Sequence, residues 1–105
     1  ARSNEVVLGV GGAEMPPGAP LNIAAVVNGS AVTFSWAAPV TGGAAGGYLL
    51  EAGSGPGMSD MARVPVNGTT LTAPNVPGGT YFVRVRAVNN VGFGDASAEL
   101  QVIVP

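Results

Sequence analysis

The stretch Pro77-Gly-Gly-Thr-Tyr81-Phe-Val-Arg-Val-Arg-Ala87-Val-Asn89-Asn-Val-Gly92 decides how the rest of the chain is read. Its middle alternates strictly. Tyr81, Val83, Val85 and Ala87 fall on one face, and Phe82, Arg84 and Arg86 fall on the other, where arginines reach water. A period of two with one apolar face is the pattern of a strand covered on one side only. Before it, the Pro74 to Gly79 segment carries two prolines that cannot donate to a ladder. After it, Asn89 to Asp95 is a glycine-containing turn.

The same alternation recurs in both directions along the chain. Ala31-Val-Thr-Phe-Ser-Trp36 puts Val32, Phe34 and Trp36 on one face, with Thr33 and Ser35 on the other. Tyr48-Leu-Leu-Glu-Ala52 directs Tyr48, Leu50 and Ala52 inward, with Leu49 and Glu51 outward. Ala98-Glu-Leu-Gln-Val-Ile-Val104 directs Ala98, Leu100, Val102 and Val104 inward. Leu21 to Val27, Ala62 to Val66 and Thr69 to Ala73 read as weaker strands. Asn28-Gly29 and Asn67-Gly68 each stand at tight-hairpin spacing. Val40 to Gly47 and Gly53 to Gly57 are glycine-rich loops. Seven strands at this pitch predict an all-β, seven-stranded antiparallel β-sandwich. Its expected core is Phe34, Trp36, Tyr48, Leu50, Tyr81, Val83 and Val85.

These residues carry a resemblance. Phe34-Ser-Trp36-Ala-Ala-Pro39 and Pro77 to Gly92 resemble the fibronectin type III domain, a seven-stranded, immunoglobulin-like sandwich. The resemblance covers about 85 residues, from Pro20 to Pro105. It implies that the Tyr81 hydroxyl bonds back to the backbone around Asn75 to Pro77 as a tyrosine corner. The turn before Tyr81 is about one residue shorter than the family usually has. The last loop lacks the Arg-Gly-Asp triplet of some cell-adhesive members, so integrin binding by that route is not implied.

Composition narrows the function. The 105 residues suit one domain; 47% are hydrophobic and 10% charged, and the net charge is −2. Gly 17 and Pro 9 make the chain turn-rich. It contains no Cys, His or Lys. That removes disulfides, thiol nucleophiles, Cys or His metal sites, a Ser-His-Asp triad and a P-loop lysine. With Lys+Arg totalling 4, a basic groove for nucleic acid is not expected. No stretch approaches the roughly 18 apolar residues of a membrane span, and Arg2-Ser3-Asn4-Glu5 does not read as a signal peptide.

The N-terminus has its own pattern. Ser3-Asn-Glu5-Val6-Val-Leu8-Gly-Val10 echoes Ser97-Ala-Glu99-Leu100-Gln-Val102-Ile-Val104 in register, about one domain length apart. Residues 1–10 are therefore expected to be the last strand of a preceding repeat or an extra N-terminal strand. Residues 11–18, with Pro16-Pro17, are the expected linker, and residues 19–105 the domain. Such a period points to a tandem array. An orphan strand has unpaired edge groups, so self-association through Ser3 to Val10 is an expectation.

Candidate chemistry is sparse. Gly9-Val-Gly11-Gly12 lacks the third glycine of a dinucleotide fingerprint, and Pro16-Pro17 blocks the helix it needs. The acids Glu5, Glu14, Glu51, Asp60, Asp95 and Glu99 are scattered. Glu51 is expected to form an exposed cross-strand pair with Arg84 or Arg86, worth at most ~1 kcal/mol. Asn89, Asn90 and Asp95 are too few for a calcium site and are read as turn formers. Met58 and Met61 are expected to fold back onto the core edge. Asn28-Gly-Ser30 and Asn67-Gly-Thr69 fit the glycosylation sequon but are better explained as turns. No catalysis and no cofactor are expected.

The resemblance implies a structural spacer or connector in a larger secreted, cell-surface or cell-envelope protein. Its partners would be neighbouring domains of the same chain. The alternative is a protein- or carbohydrate-binding module that uses the end loops or an outer face with Leu49, Phe82, Arg84 and Arg86. The lack of Lys with abundant Ala, Gly and Val suggests a bacterial source.

Overall fold

The computed structural model describes residues 15–105. The echo strand and the first part of the expected linker lie outside the described residues, and with them the self-association expected of Ser3 to Val10. Eight strands follow in order: β1 (Leu21–Asn28), β2 (Ala31–Ala37), β3 (Gly47–Gly53), β4 (Ala62–Val66), β5 (Thr70–Ala73), β6 (Gly79–Val88), β7 (Phe93–Ala96) and β8 (Leu100–Val104). They form two antiparallel sheets, β1-β2-β5 and β4-β3-β6, with β7 and β8 both pairing with β6. The fold is a two-sheet β-sandwich.

The eighth strand comes from dividing one edge. β8 pairs with β6 from Gly79↔Val104 to Val83↔Leu100, and β7 continues along the same edge at Arg86↔Ala96 and Val88↔Phe93. Sequence reading places Phe93 to Asp95 in a loop and Ala98 inward; instead β7 is a strand, and Ala98 is exposed. Ser97 explains the break. Its N–H donates to Val85 O at 2.8 Å, and Val85 N–H donates to Ser97 Oγ at 3.0 Å. A side chain thus stands in for a backbone carbonyl, and the chain steps out at Ala98 before pairing resumes.

The two Asn-Gly turns part company. At Asn28 the register Asn28↔Ala31 closes a two-residue hairpin, with Gly29 at φ 63 in the left-handed region that glycine tolerates. Asn67-Gly68 is not a hairpin turn. β4 pairs with β3 and β5 with β2, so the chain crosses there from one sheet to the other. Spacing alone does not distinguish the two, because the distinction lies in which partner each strand finds.

Val32, Phe34 and Trp36 of the small sheet pack on Tyr48, Leu50, Val83, Val85, Ala87, Val102 and Val104 of the large one. Tyr81 is half-buried against this cluster. Trp36 meets Tyr48 edge-on, with ring centroids 5.7 Å apart and planes at 64°. The chain enters at one pole and leaves at the other. Leu21 stands opposite Ala37 at the pole carrying the 38–46 loop, whereas Val104 stands opposite Gly79 at the far pole.

Candidate interaction face

The outward side of the large sheet is built by register. β3 places Glu51 between Arg63 of β4 and Arg84 of β6, and places Leu49 between Pro65 and Arg86. Glu51 Oε1 accepts from Arg84 Nε at 2.7 Å and Arg86 Nε at 3.2 Å, and its Oε2 lies 3.5 Å from Arg63 Nε. The exposed pair expected for Glu51 is corrected here: the residue is only 3% exposed. The long arginine stems on both neighbouring strands close over a side chain that alternation alone would send to water. Leu49, on the same outward face, is 8% exposed. It stands between Pro65 and Arg86, so the exposed contact position expected of Leu49 is corrected: the side chain is buried.

Burial is the largest single influence on the Glu51 carboxyl and pushes its pKa up. The hydrogen bonds and charges of Arg86 and Arg84 together outweigh it, so the group is held below the ordinary glutamate value. Arg86 also donates Nη1 to Gly94 O at 3.1 Å, which ties β6 to β7.

Phe82 is half-buried on this face. Gly57 N–H donates to Glu99 Oε2 at 2.8 Å. Gly53 stands opposite Phe82, and Leu100 opposite Val83, so this bond carries the loop after β3 across β6. Asp60 shapes the loop from within, accepting from Ser54 N–H at 2.9 Å and Ser54 Oγ–H at 2.8 Å. These bonds hold the Asp60 carboxyl below its ordinary pKa.

Tyr81 Oη donates to Pro77 O at 2.6 Å, which is the bond a tyrosine corner requires. At the opposite pole, the chain leading into β1 is docked. Gly18 N–H donates to Thr41 O at 2.9 Å, Gly43 N–H to Pro16 O at 3.1 Å, and Asn89 Nδ2 to Met15 O at 2.8 Å. Asn89 Oδ1 meanwhile accepts from Val91 N–H at 2.8 Å, closing its own turn. A Cβ on Gly94 would run into the Pro17 carbonyl. Sequence reading notes Asn89 and Gly94 only as turn residues, and Ser97 only within the echo. A glycine inside a strand is the one available hint of close backbone approach.

The remaining groups do not assemble a reaction centre. Among the described residues, the carboxylates of Glu51, Asp60 and Glu99 are each bound to their own partners, and Asp95 is exposed. No group of three or more metal-ligating His, Cys, Asp or Glu residues occurs among them. An apolar cleft of about 340 Å³ lies between the sheets, lined by Leu50, Ala52, Leu71, Ala73 and Val76, with Met61 at 51% exposure among its lining residues. Sealed and empty, such a volume would cost about 8 kcal/mol at ~24 cal/mol per Å³, as much as a whole domain's stability. It is therefore a surface cleft continuous with solvent. Met58 is 46% exposed, so neither methionine caps the core as fully as expected.

Two packed antiparallel sheets, a tyrosine corner and a Trp-centred core define an immunoglobulin-like sandwich module. The Fibronectin type III domain family model matches residues 18–103, and the chain belongs to that family. It is 36% identical over 93 residues to Contactin-5 of Danio rerio, covering 85% of this chain and 8% of that protein. It is 38% identical over 98 residues to Protein sidekick-1 of Mus musculus, covering 83% of this chain and 4% of that protein. The chain thus spans a small part of either relative. Among solved structures it resembles the FN1-FN3 domains of chicken CNTN1, with a TM-score of 0.72, 24% identity, and 87% of this chain and 32% of that one covered. It also resembles the FN5 domain of Drosophila Lar, with a TM-score of 0.68, 26% identity, and 85% and 97% covered. These relatives are animal proteins, so the compositional guess of a bacterial source finds no support in them. The match covers one domain and lends none to a tandem array.

Proposed function

We propose that the chain is a non-catalytic connector, a stiff module that sets the spacing and orientation of neighbouring domains in a larger extracellular or cell-surface protein. The observation that carries this reading is the docked lead-in. Pro17 is buried, and the Met15, Pro16 and Gly18 backbones are bonded to the 41–43 loop and to Asn89. A preceding domain attached there would inherit a direction rather than swing on a free tether. The exit at the opposite pole completes a through-axis connection. The likeness to Contactin-5 and Protein sidekick-1, both cell-surface proteins, supports the extracellular setting.

The test places donor and acceptor dyes at Met15→Cys and Pro105→Cys in the full chain, which has no cysteine of its own, and records single-molecule energy transfer. A connector gives one narrow distance distribution, and Asn89→Ala broadens it by releasing Met15. A distribution as broad as that of a flexible Gly/Ser chain of equal length would refute the reading.

A further inference from the structure

Arg63, Arg84 and Arg86 all converge on the single Glu51 carboxylate, and no other acidic side chain pairs with them among the described residues. Glu99, the next acid along the sheet, is bound to Gly57 instead. Three guanidiniums against one carboxylate leave unmatched positive charge on one face of a chain whose net charge is −2.

The geometry of the pairing matters as much as the charge. Each arginine addresses Glu51 through Nε, the nitrogen nearest its stem. Arg86 gives Nη1 to Gly94 O. The Nη groups of Arg63 and Arg84, and Nη2 of Arg86, have no acceptor among the described residues. A guanidinium offers five N–H donors in a fixed plane, so most of this donor capacity is unfilled. Arg84 and Arg86 are already held, at 19% and 30% exposure, whereas Arg63 is 58% exposed and stands 3.5 Å from Glu51. A ligand would therefore not bear the entropy of ordering the first two. Further along the same face lie Phe82, half-buried and two residues before Arg84, and Ile103 of β8, 65% exposed and opposite Thr80.

We infer that this face docks an acidic, partly apolar segment of a partner protein, whose carboxylates take the unfilled guanidinium edges while its apolar side chains cover Ile103 and Phe82. Charge complementarity calls for an anion. The interleaved apolar residues choose a polypeptide over a sulfated polysaccharide, which has no apolar side chains to offer, and arginine with aromatic residues is the composition that carries protein–protein binding energy. This gives the module a binding role in addition to connection, and it stands whether or not the lead-in is rigid.

The test follows the arginine Nε–H signals of the full chain by NMR at physiological salt. The probes are a short peptide of alternating Asp and Leu, a polyglutamate peptide and a heparin oligosaccharide. The expected result is saturable shifts of Arg63 and Arg84 with the Asp-Leu peptide and weaker binding of the other two. Arg63→Ala should weaken the peptide about tenfold, the scale of one charge-assisted hydrogen-bond pair. Ile103→Asp, on an exposed position, should weaken it similarly and carries the test if Arg63→Ala fails to fold. No saturable shift up to millimolar peptide, polyglutamate binding as tightly as the Asp-Leu peptide, or heparin binding more tightly would each overturn the inference.

Discussion

Replacing Glu51 with Gln removes one charge and almost no volume, so it isolates the electrostatics of the large sheet. Breaking a buried ion pair by removing one partner costs about 3–5 kcal/mol, because the other charge is left uncompensated. Partial exposure of the arginines brings the loss below the top of that range and extends it somewhat under the bottom. Arg63, with its side chain 58% exposed, is rehydrated readily, and Arg86, at 30%, in part. Arg84, at 19%, cannot escape as easily and makes the shortest bond, 2.7 Å. The expected loss at neutral pH is therefore ~2–4 kcal/mol. Urea unfolding followed by Trp36 fluorescence measures it, since Trp36 is the chain's only tryptophan and is 6% exposed. The pH dependence supplies a second readout. The folded-state carboxyl sits below its unfolded value, so its stabilisation is complete above pH about 4.5 and is lost as the pH falls through the lower folded value. The gap between wild type and Glu51→Gln should close in strong acid. A loss under ~1 kcal/mol at neutral pH would mean that Glu51 behaves as an ordinary surface partner, and the reasoning fails.

Tyr81→Phe deletes the bond to Pro77 O and should cost about 0.5–1.5 kcal/mol in the same unfolding assay; an unchanged midpoint would count against the corner. Ser97→Ala leaves the fully buried Val85 N–H without its acceptor, with an expected loss of about 1–3 kcal/mol and faster exchange of that amide. Gly94→Ala should dislodge the Pro17 backbone, seen as faster hydrogen exchange of the Gly18 N–H that donates to Thr41 O while the sandwich stays intact. Ala73→Val adds methyl groups to the wall of the inter-sheet cleft and should raise stability by about 1 kcal/mol, read as a higher Tm.

The strands were legible because each depends on its own alternation. Val32, Phe34 and Trp36, and equally Val83, Val85 and Ala87, can face only one way once their neighbours are polar or charged. The Tyr81 corner was legible through the family resemblance, and the bond that confirms it spans only four residues, to Pro77. What escaped depends on partners remote in sequence. Glu51 reads as outward, and it is outward, but its burial comes from arginines on β4 and β6, 33 and 35 residues away in the case of β6. Asn67-Gly68 carries the same turn chemistry as Asn28-Gly29, yet its flanking strands join different sheets. Ser97 divides the last edge through a side-chain bond that no periodicity records. The outward positions of Leu49, Phe82, Arg84 and Arg86 follow from alternation, but Arg63, which completes the cluster around Glu51, sits on a weak strand whose register is visible only once it pairs.

The central claim, a connector with a fixed lead-in, is tested most directly by backbone ¹⁵N relaxation across Met15 to Asn28. The account predicts order parameters for residues 15, 18 and 19 like those of β1, at the rigid-backbone level of about 0.85. Values below about 0.6 before Leu21, with β1 itself rigid, would show a free tether and contradict it.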